Sequence, residues 1–73
     1  MMILANLNKI ADVRKFVEIA SAINEVKVRS GNYIVDGKSI MGLFSLDLSK
    51  PVEVELSEDA SKENINVMSL LGR

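Results

Sequence analysis

The 73-residue chain contains no cysteine, no histidine and no tryptophan. Without cysteine it can form no disulfide and offers no thiolate as nucleophile or ligand, an absence that suits the reducing cytoplasm. Without histidine as well, a metal site would need converging carboxylates, and no Asp/Glu spacing here resembles a calcium loop. No cofactor is expected. No apolar run approaches the roughly 18 residues needed to cross a bilayer. The apolar opening Met1-Met2-Ile3-Leu4-Ala5 follows no positively charged segment, so it reads as a strand and not as a signal peptide. Aromatic side chains are limited to Phe16, Tyr33 and Phe44, too few for the stacking platforms of single-strand nucleic-acid binders. The net charge of −1 is equally remote from the basic footprint of such proteins. The glycines are scattered at turns and form no phosphate-cradling loop.

What remains is one modest domain, residues 1–73. A chain of this size buries only about 60% of its unfolded surface, so its stability margin is thin. The charge is mildly asymmetric. Residues 1–38 carry Lys9, Arg14, Lys15, Lys27, Arg29 and Lys38 against Asp12, Glu18, Glu25 and Asp36. Residues 39–73 carry Lys50, Lys62 and Arg73 against Asp47, Glu53, Glu55, Glu58, Asp59 and Glu63.

Residues 2–7 are apolar on both faces, which predicts a strand in the interior of a sheet. Asn8 is a capping candidate for the helix that follows. There Ile10, Val13, Val17, Ala20 and Ile23 form a stripe at helical spacing, widened by Phe16 and Ile19. Val26 and Val28 alternate with Lys27 and Arg29 as in a half-buried strand. Ser30-Gly31-Asn32 supplies turn chemistry before Tyr33-Ile34-Val35, so residues 25–36 read as a hairpin. Ser39 is an N-cap candidate for a short helix over Ile40-Met41-Gly42-Leu43-Phe44-Ser45-Leu46. Gly42 costs that helix about 1 kcal/mol relative to alanine, so it must be held by packing. Pro51 sits at the mouth of a strand in which Val52, Val54 and Leu56 alternate with Glu53 and Glu55. Ser57-Glu58-Asp59 places acids ahead of a last helix, with Ile65, Met68 and Leu71 inward and Gly72 ending it. The fold class is therefore α+β, in the order β-α-β-β-α-β-α, with helices on one face of an antiparallel sheet.

Little in this pattern suggests catalysis. Glu53 and Glu55 share a strand face, but their alternation with valine and leucine marks a solvated sheet surface. Lys9 and Lys38 have no desolvated pocket in prospect that would favour imine chemistry. The chain is not expected to be an enzyme.

The segment Lys38-Ser39-Ile40-Met41-Gly42-Leu43-Phe44-Ser45-Leu46 resembles the Lys-Ser-Ile-Met-Gly-Leu-Leu-Ser-Leu stretch of HPr proteins, the phosphocarriers of the sugar phosphotransferase system. Lys15-Phe16-Val17-Glu18-Ile19-Ala20-Ser21 resembles the middle of that family's first helix, and Val52-Glu53-Val54-Glu55-Leu56 its fourth strand. The resemblance covers most of residues 9–57. It implies the family's open-faced sandwich, a four-stranded antiparallel sheet covered on one face by helices.

In the family, a histidine in a Gly-Leu-His-Ala-Arg-Pro-like stretch accepts phosphate from enzyme I. Counting back from Lys15-Phe16-Val17, Lys9 falls at the histidine, Ala11 at the arginine and Asp12 at the proline. A lysine ammonium has no free lone pair with which to attack phosphorus, and an aspartate beside it repels an incoming phosphate. The resemblance thus implies a member unable to carry phosphate on histidine, like the catabolite-repression paralogue of HPr.

In the branch sharing the Lys-Ser-Ile-Met-Gly motif, a dedicated HPr kinase phosphorylates the serine, and the product binds a transcriptional regulator. Ser39 is by resemblance the candidate phosphosite, with Ile40, Met41 and Phe44 the candidate docking patch. The implied partners are HPr kinase, a transcriptional regulator or other phosphotransferase-system proteins, with no nucleic acid and no membrane. The alternative is a diverged binding module in which Ser39 is only a helix cap, worth about 1 kcal/mol, and neither phosphorylation site is in use. An exposed Ile40–Met41 surface beside an exposed Ser39 favours the first reading. A buried Ser39 hydroxyl favours the second.

Overall fold

The strict alternation of apolar and charged residues at 26–29 and 52–56 builds the centre of the molecule. In a computed structural model, which describes residues 1–72, these are strands β2 (Val26–Ser30) and β4 (Val52–Leu56). They pair antiparallel with Val28 opposite Val54, and Val26, Val28, Val52, Val54 and Leu56 are all buried. Strand β1 (Met2–Ala5) adds to the far side of β4, and β3 (Tyr33–Asp36) to the far side of β2. The result is a four-stranded antiparallel sheet in the order β1-β4-β2-β3. Helices α1 (Ile10–Ala20), α2 (Ile40–Phe44) and α3 (Lys62–Leu70) complete the order β-α-β-β-α-β-α. This is the open-faced arrangement expected.

Phe16, Val13 and Ala20 of α1, Leu43 of α2 and Met68 of α3 are fully buried with the sheet's inner valines and with Leu7 and Ile23. Among the described residues, nothing covers the opposite face of the sheet. Two cross-strand rows lie on it, Met2–Glu55–Lys27–Asp36 and Leu4–Glu53–Arg29–Ile34. The acids of β4 thus alternate with the bases of β2 at directly opposed positions, which favours pairing of the two strands. Glu53 and Glu55 belong to this solvated face, as their spacing indicated.

Several local expectations need correction. Strand β1 is an edge, not an interior strand. Its apolar residues do point both ways, but Met2 and Leu4 face solvent on the open side while Ala5 is buried and Ile3 half-buried. It also ends at Ala5, leaving Asn6 and Leu7 in the following loop. Asn8 does not cap α1. The N-cap is Lys9, in extended conformation and without a side-chain hydrogen bond, because a lysine has nothing with which to accept. Ile10 belongs to the helical stripe by spacing yet is 65% exposed, since burial along α1 begins only at Val13.

The last helix begins after its leading acids, as their placement suggested. Ser61 is the N-cap and accepts from the Asn64 amide at 3.1 Å, so Glu58 and Asp59 lie ahead of the first turn. Glu63 is the acid inside it. Gly72 does end the helix, with φ of 74°. Gly31 takes φ of 59° as the first of two loop residues between Ser30 and Tyr33, matching two-residue hairpins whose first central residue needs positive φ.

Candidate functional site

Ser39 sits at the junction between the β2–β3 hairpin and α2. The chain leaving β3 is turned by Asp36, whose carboxylate accepts from the Lys38 amide at 2.9 Å and whose carbonyl accepts from the Ser39 amide at 3.0 Å. Gly37, inside that turn, is buried and donates to the Val26 carbonyl at 2.7 Å. Lys38 stretches back to the start of β2, donating from Nζ to the Asn24 carbonyl at 2.9 Å. Ser39 is therefore held on both sides before the helix begins.

Ser39 is extended and its Oγ accepts from the Gly42 amide at 3.0 Å, the capping geometry expected of it. Its carbonyl accepts from Leu43 at 3.0 Å. Leu43 is the one buried side chain of α2 and fixes the helix to the core. Gly42 is small for a reason. A Cβ there would stand 3.2 Å from Ser39 Oγ and 3.3 Å from Val35 Cβ, so glycine lets α2 close onto β3 and Ser39 onto α2.

With Leu43 turned inward, the rest of the helix faces out. Met41 is 78% exposed, Phe44 45% and Ile40 37%, an apolar surface next to a half-buried serine. The two criteria set by the sequence divide here. The docking patch is exposed, while the Ser39 hydroxyl is engaged as a cap.

The positions that the resemblance sets at the family's phosphate site lie at the start of α1. Lys9 and Ala11 are exposed, and Ala11 offers no donor. Asp12 is half-buried, and its Oδ2 is shielded from solvent without a hydrogen-bond partner. α1 and α2 pack against one another, so both candidate regions belong to the helical layer.

One cluster has no counterpart in the sequence reading. Asp59 accepts from the Asn24 amide at 2.9 Å and from the Ser57 hydroxyl, and Ser57 Oγ also accepts from the Glu25 amide at 2.9 Å. Asn24 is the residue whose carbonyl receives Lys38. The start of β2, the end of β4 and the approach to Ser39 are thus tied at a single point. The Ser57 hydroxyl, and after it the Asn24 amide, hold the Asp59 carboxyl below the usual carboxylate range. Asp47 is lowered similarly by the Ser49 hydroxyl and amide. A cavity of about 380 Å³ opens beside this cluster, between Lys27, Ile34 and Lys38. Lys27 and Lys38 share its lining with Glu25 and Asp36, so it offers no excess of either sign.

Among the described residues, no helix is long and apolar enough to cross a membrane. No gathering of three or more potential metal-ligating side chains occurs among them.

Residues 12–71 match the family model described as the PTS HPr component phosphorylation site. The match begins at Asp12, leaving Lys9 and Ala11 outside it. Among solved structures, the chain is similar to HPr-C-His from Thermoanaerobacter tengcongensis, with a TM-score of 0.70 and 28% identity. That likeness covers 93% of this chain and 83% of the other. No curated protein matches the chain significantly.

Proposed function

The chain belongs to the HPr family of the sugar phosphotransferase system, and on that premise we propose that it is a regulatory member acting through Ser39. It does not carry phosphate on histidine, because its 73 residues contain none. The whole of residues 1–73 acts as one HPr-like unit in the cytoplasm, without cofactor and without enzymatic activity. The observation that carries this reading is the contrast between two regions. Lys9, Ala11 and Asp12, which the resemblance sets at the family's histidine, arginine and proline positions, include no histidine and no arginine, whereas Lys38-Ser39-Ile40-Met41-Gly42 keeps the motif with Met41 presented to solvent.

The capping bond is compatible with modification. Gly42 N–H uses one lone pair of Oγ, and the hydroxyl proton is not part of that bond. Phosphoryl transfer from ATP forms the new Oγ–P bond and breaks the bond from the γ-phosphorus to its bridging oxygen, with ADP leaving and the hydroxyl proton released. The ester oxygen still accepts from Gly42. The added charge, close to −2, then stands beside Lys38 and the exposed Ile40, Met41 and Phe44. A partner that recognises phosphoserine flanked by an apolar patch fits this surface, and the family supplies its classes: HPr kinase, a transcriptional regulator or other phosphotransferase-system proteins.

The second reading is a diverged binding module with neither phosphorylation site in use. It draws on the half-burial of Ser39 and on the engagement of its hydroxyl as a cap. The two separate in one experiment. HPr kinase with ATP adds a single phosphate under the first reading, and Ser39→Ala abolishes it. Absence of label, with an ordinary HPr phosphorylated in parallel, supports the second.

A further inference from the structure

Peroxides have few targets in this chain. It contains no cysteine, tryptophan or histidine, so the groups most open to two-electron oxidation are its four methionine thioethers. The fold grades them sharply. Met68 is fully buried in the core. Met1 and Met2 are 65% and 57% exposed at the edge strand, and Met2 faces the open side of the sheet, away from the helices. Met41, at 78%, is the most exposed of the four. It also stands two residues from Ser39, on the helix that Ser39 caps. Phe44, three positions on, shares its side of the helix, and Ile40 adjoins it. Helix α2 cannot turn to hide Met41, because Leu43 is locked in the core and Gly42 closes against Ser39 and Val35.

We propose that Met41 is a peroxide-responsive modification site whose sulfoxide closes the docking surface beside Ser39. Its consequence rests on the Ser39 reading, whereas its chemistry rests on exposure alone. A lone pair of Met41 Sδ attacks one oxygen of hydrogen peroxide, and the S–O bond forms as the O–O bond breaks. The sulfur is oxidised by two electrons. The second oxygen is reduced and leaves as water, which keeps both peroxide hydrogens.

The product replaces a flexible apolar side chain with a polar, chiral one. A partner that reaches Ser39 must cover Ile40, Met41 and Phe44, and a surface shaped for three apolar side chains has no donor for a sulfoxide oxygen. Docking would then strip that oxygen of water without compensation, which is costly. Ser39 is not itself altered, and its bond to the Gly42 amide is retained. The change is reversible. A dithiol returns the sulfoxide to the thioether, the oxygen leaving as water and the dithiol becoming a disulfide, in a step that methionine sulfoxide reductases catalyse.

The test treats the full chain briefly with hydrogen peroxide, removes the excess with catalase, and maps oxygen uptake by peptide mass. Met41 should react no more slowly than Met1 and Met2, and about tenfold or more faster than Met68. Met68 reacting as fast as Met41, or Met41 staying a thioether, overturns the proposal. The oxidised chain is then incubated with HPr kinase and ATP. Phosphorylation of Ser39 should slow by about fivefold or more, and recover after the two reductases, one for each sulfoxide epimer, act with a dithiol. Peroxide should leave the rate of Met41→Leu at its own untreated value, which separates Met41 from Met1 and Met2. The urea midpoint of the oxidised chain should be unchanged. An undiminished rate with Met41 oxidised overturns the proposal, as does slowing that persists in Met41→Leu or comes with a lowered midpoint. An untreated chain that takes no phosphate overturns the Ser39 reading and the docking consequence with it, whereas uniform oxidation overturns this proposal alone.

Discussion

Replacing Ser39 by alanine removes the only side-chain acceptor of the Gly42 amide, and its cost can be worked from the local geometry. The bond is 3.0 Å long and partly buried, and it caps a helix of five residues that has no other N-terminal side-chain cap. Loss of a serine cap costs about 0.5–2 kcal/mol, typically about 1. A fully buried orphan amide would cost about 1–3 kcal/mol, but Ser39 is only half-buried, so water recovers part of this. The expected loss is therefore about 1 kcal/mol, against a total stability of about 4–11 kcal/mol for a chain of this length. Urea titration should show an unchanged m-value with a lower midpoint, and Tm should fall by about 4–8 °C. Ser39→Asp keeps an acceptor and should recover most of the loss. If aspartate is as damaging as alanine, the hydroxyl is not working as a cap. A loss above about 3 kcal/mol would mean that Ser39 supports more than one amide.

Other consequences are equally open to measurement. Gly37→Ala drives a Cβ into the Val26 side chain and to 3.1 Å from the Val26 carbonyl, and should cost about 1–3 kcal/mol by chemical denaturation. Phe16→Ala empties the largest buried side chain, and its cost of about 3–5 kcal/mol should leave much of the population unfolded or molten by near-UV circular dichroism. Asp59 has its folded-state carboxyl lowered, so its contribution is fully present above the ordinary carboxylate range, roughly pH 4, and is lost as pH falls through the lowered value. Asp59→Asn should accordingly reduce the difference in stability between pH 7 and pH 3, seen as a flatter acid limb in urea titrations.

The readable parts of the fold are those in which one face alone decides. The alternation at Val26–Arg29 and Val52–Leu56 could be solved only by a sheet with one buried side, and the stripe through Val13, Phe16 and Ala20 only by a helix on that side. Ser39 was recognisable as a cap because the apolar run it precedes is local. Strand β1 misled because apolar residues on both faces normally mean cover on both, and nothing local reveals that one face stays open. The exact start of α3 was not legible, because Ser57 and Ser61 are both plausible caps. Ser57 is engaged instead by the Glu25 amide and by Asp59, whose carboxylate takes an amide 35 positions earlier in the chain. Exposure of Met41 was equally out of reach. Both it and Leu43 are apolar neighbours in one short helix, and only the packing of α2 chose which turned inward.

The central claim is that phosphate reaches this protein at Ser39 and not at the start of α1. Its most direct test is intact-mass measurement after two parallel incubations, with enzyme I and phosphoenolpyruvate or with HPr kinase and ATP. A single phosphate added only by the kinase, mapping to Ser39 and absent in Ser39→Ala, is the predicted result. Phosphate added by enzyme I, or kinase labelling that survives Ser39→Ala, would contradict it.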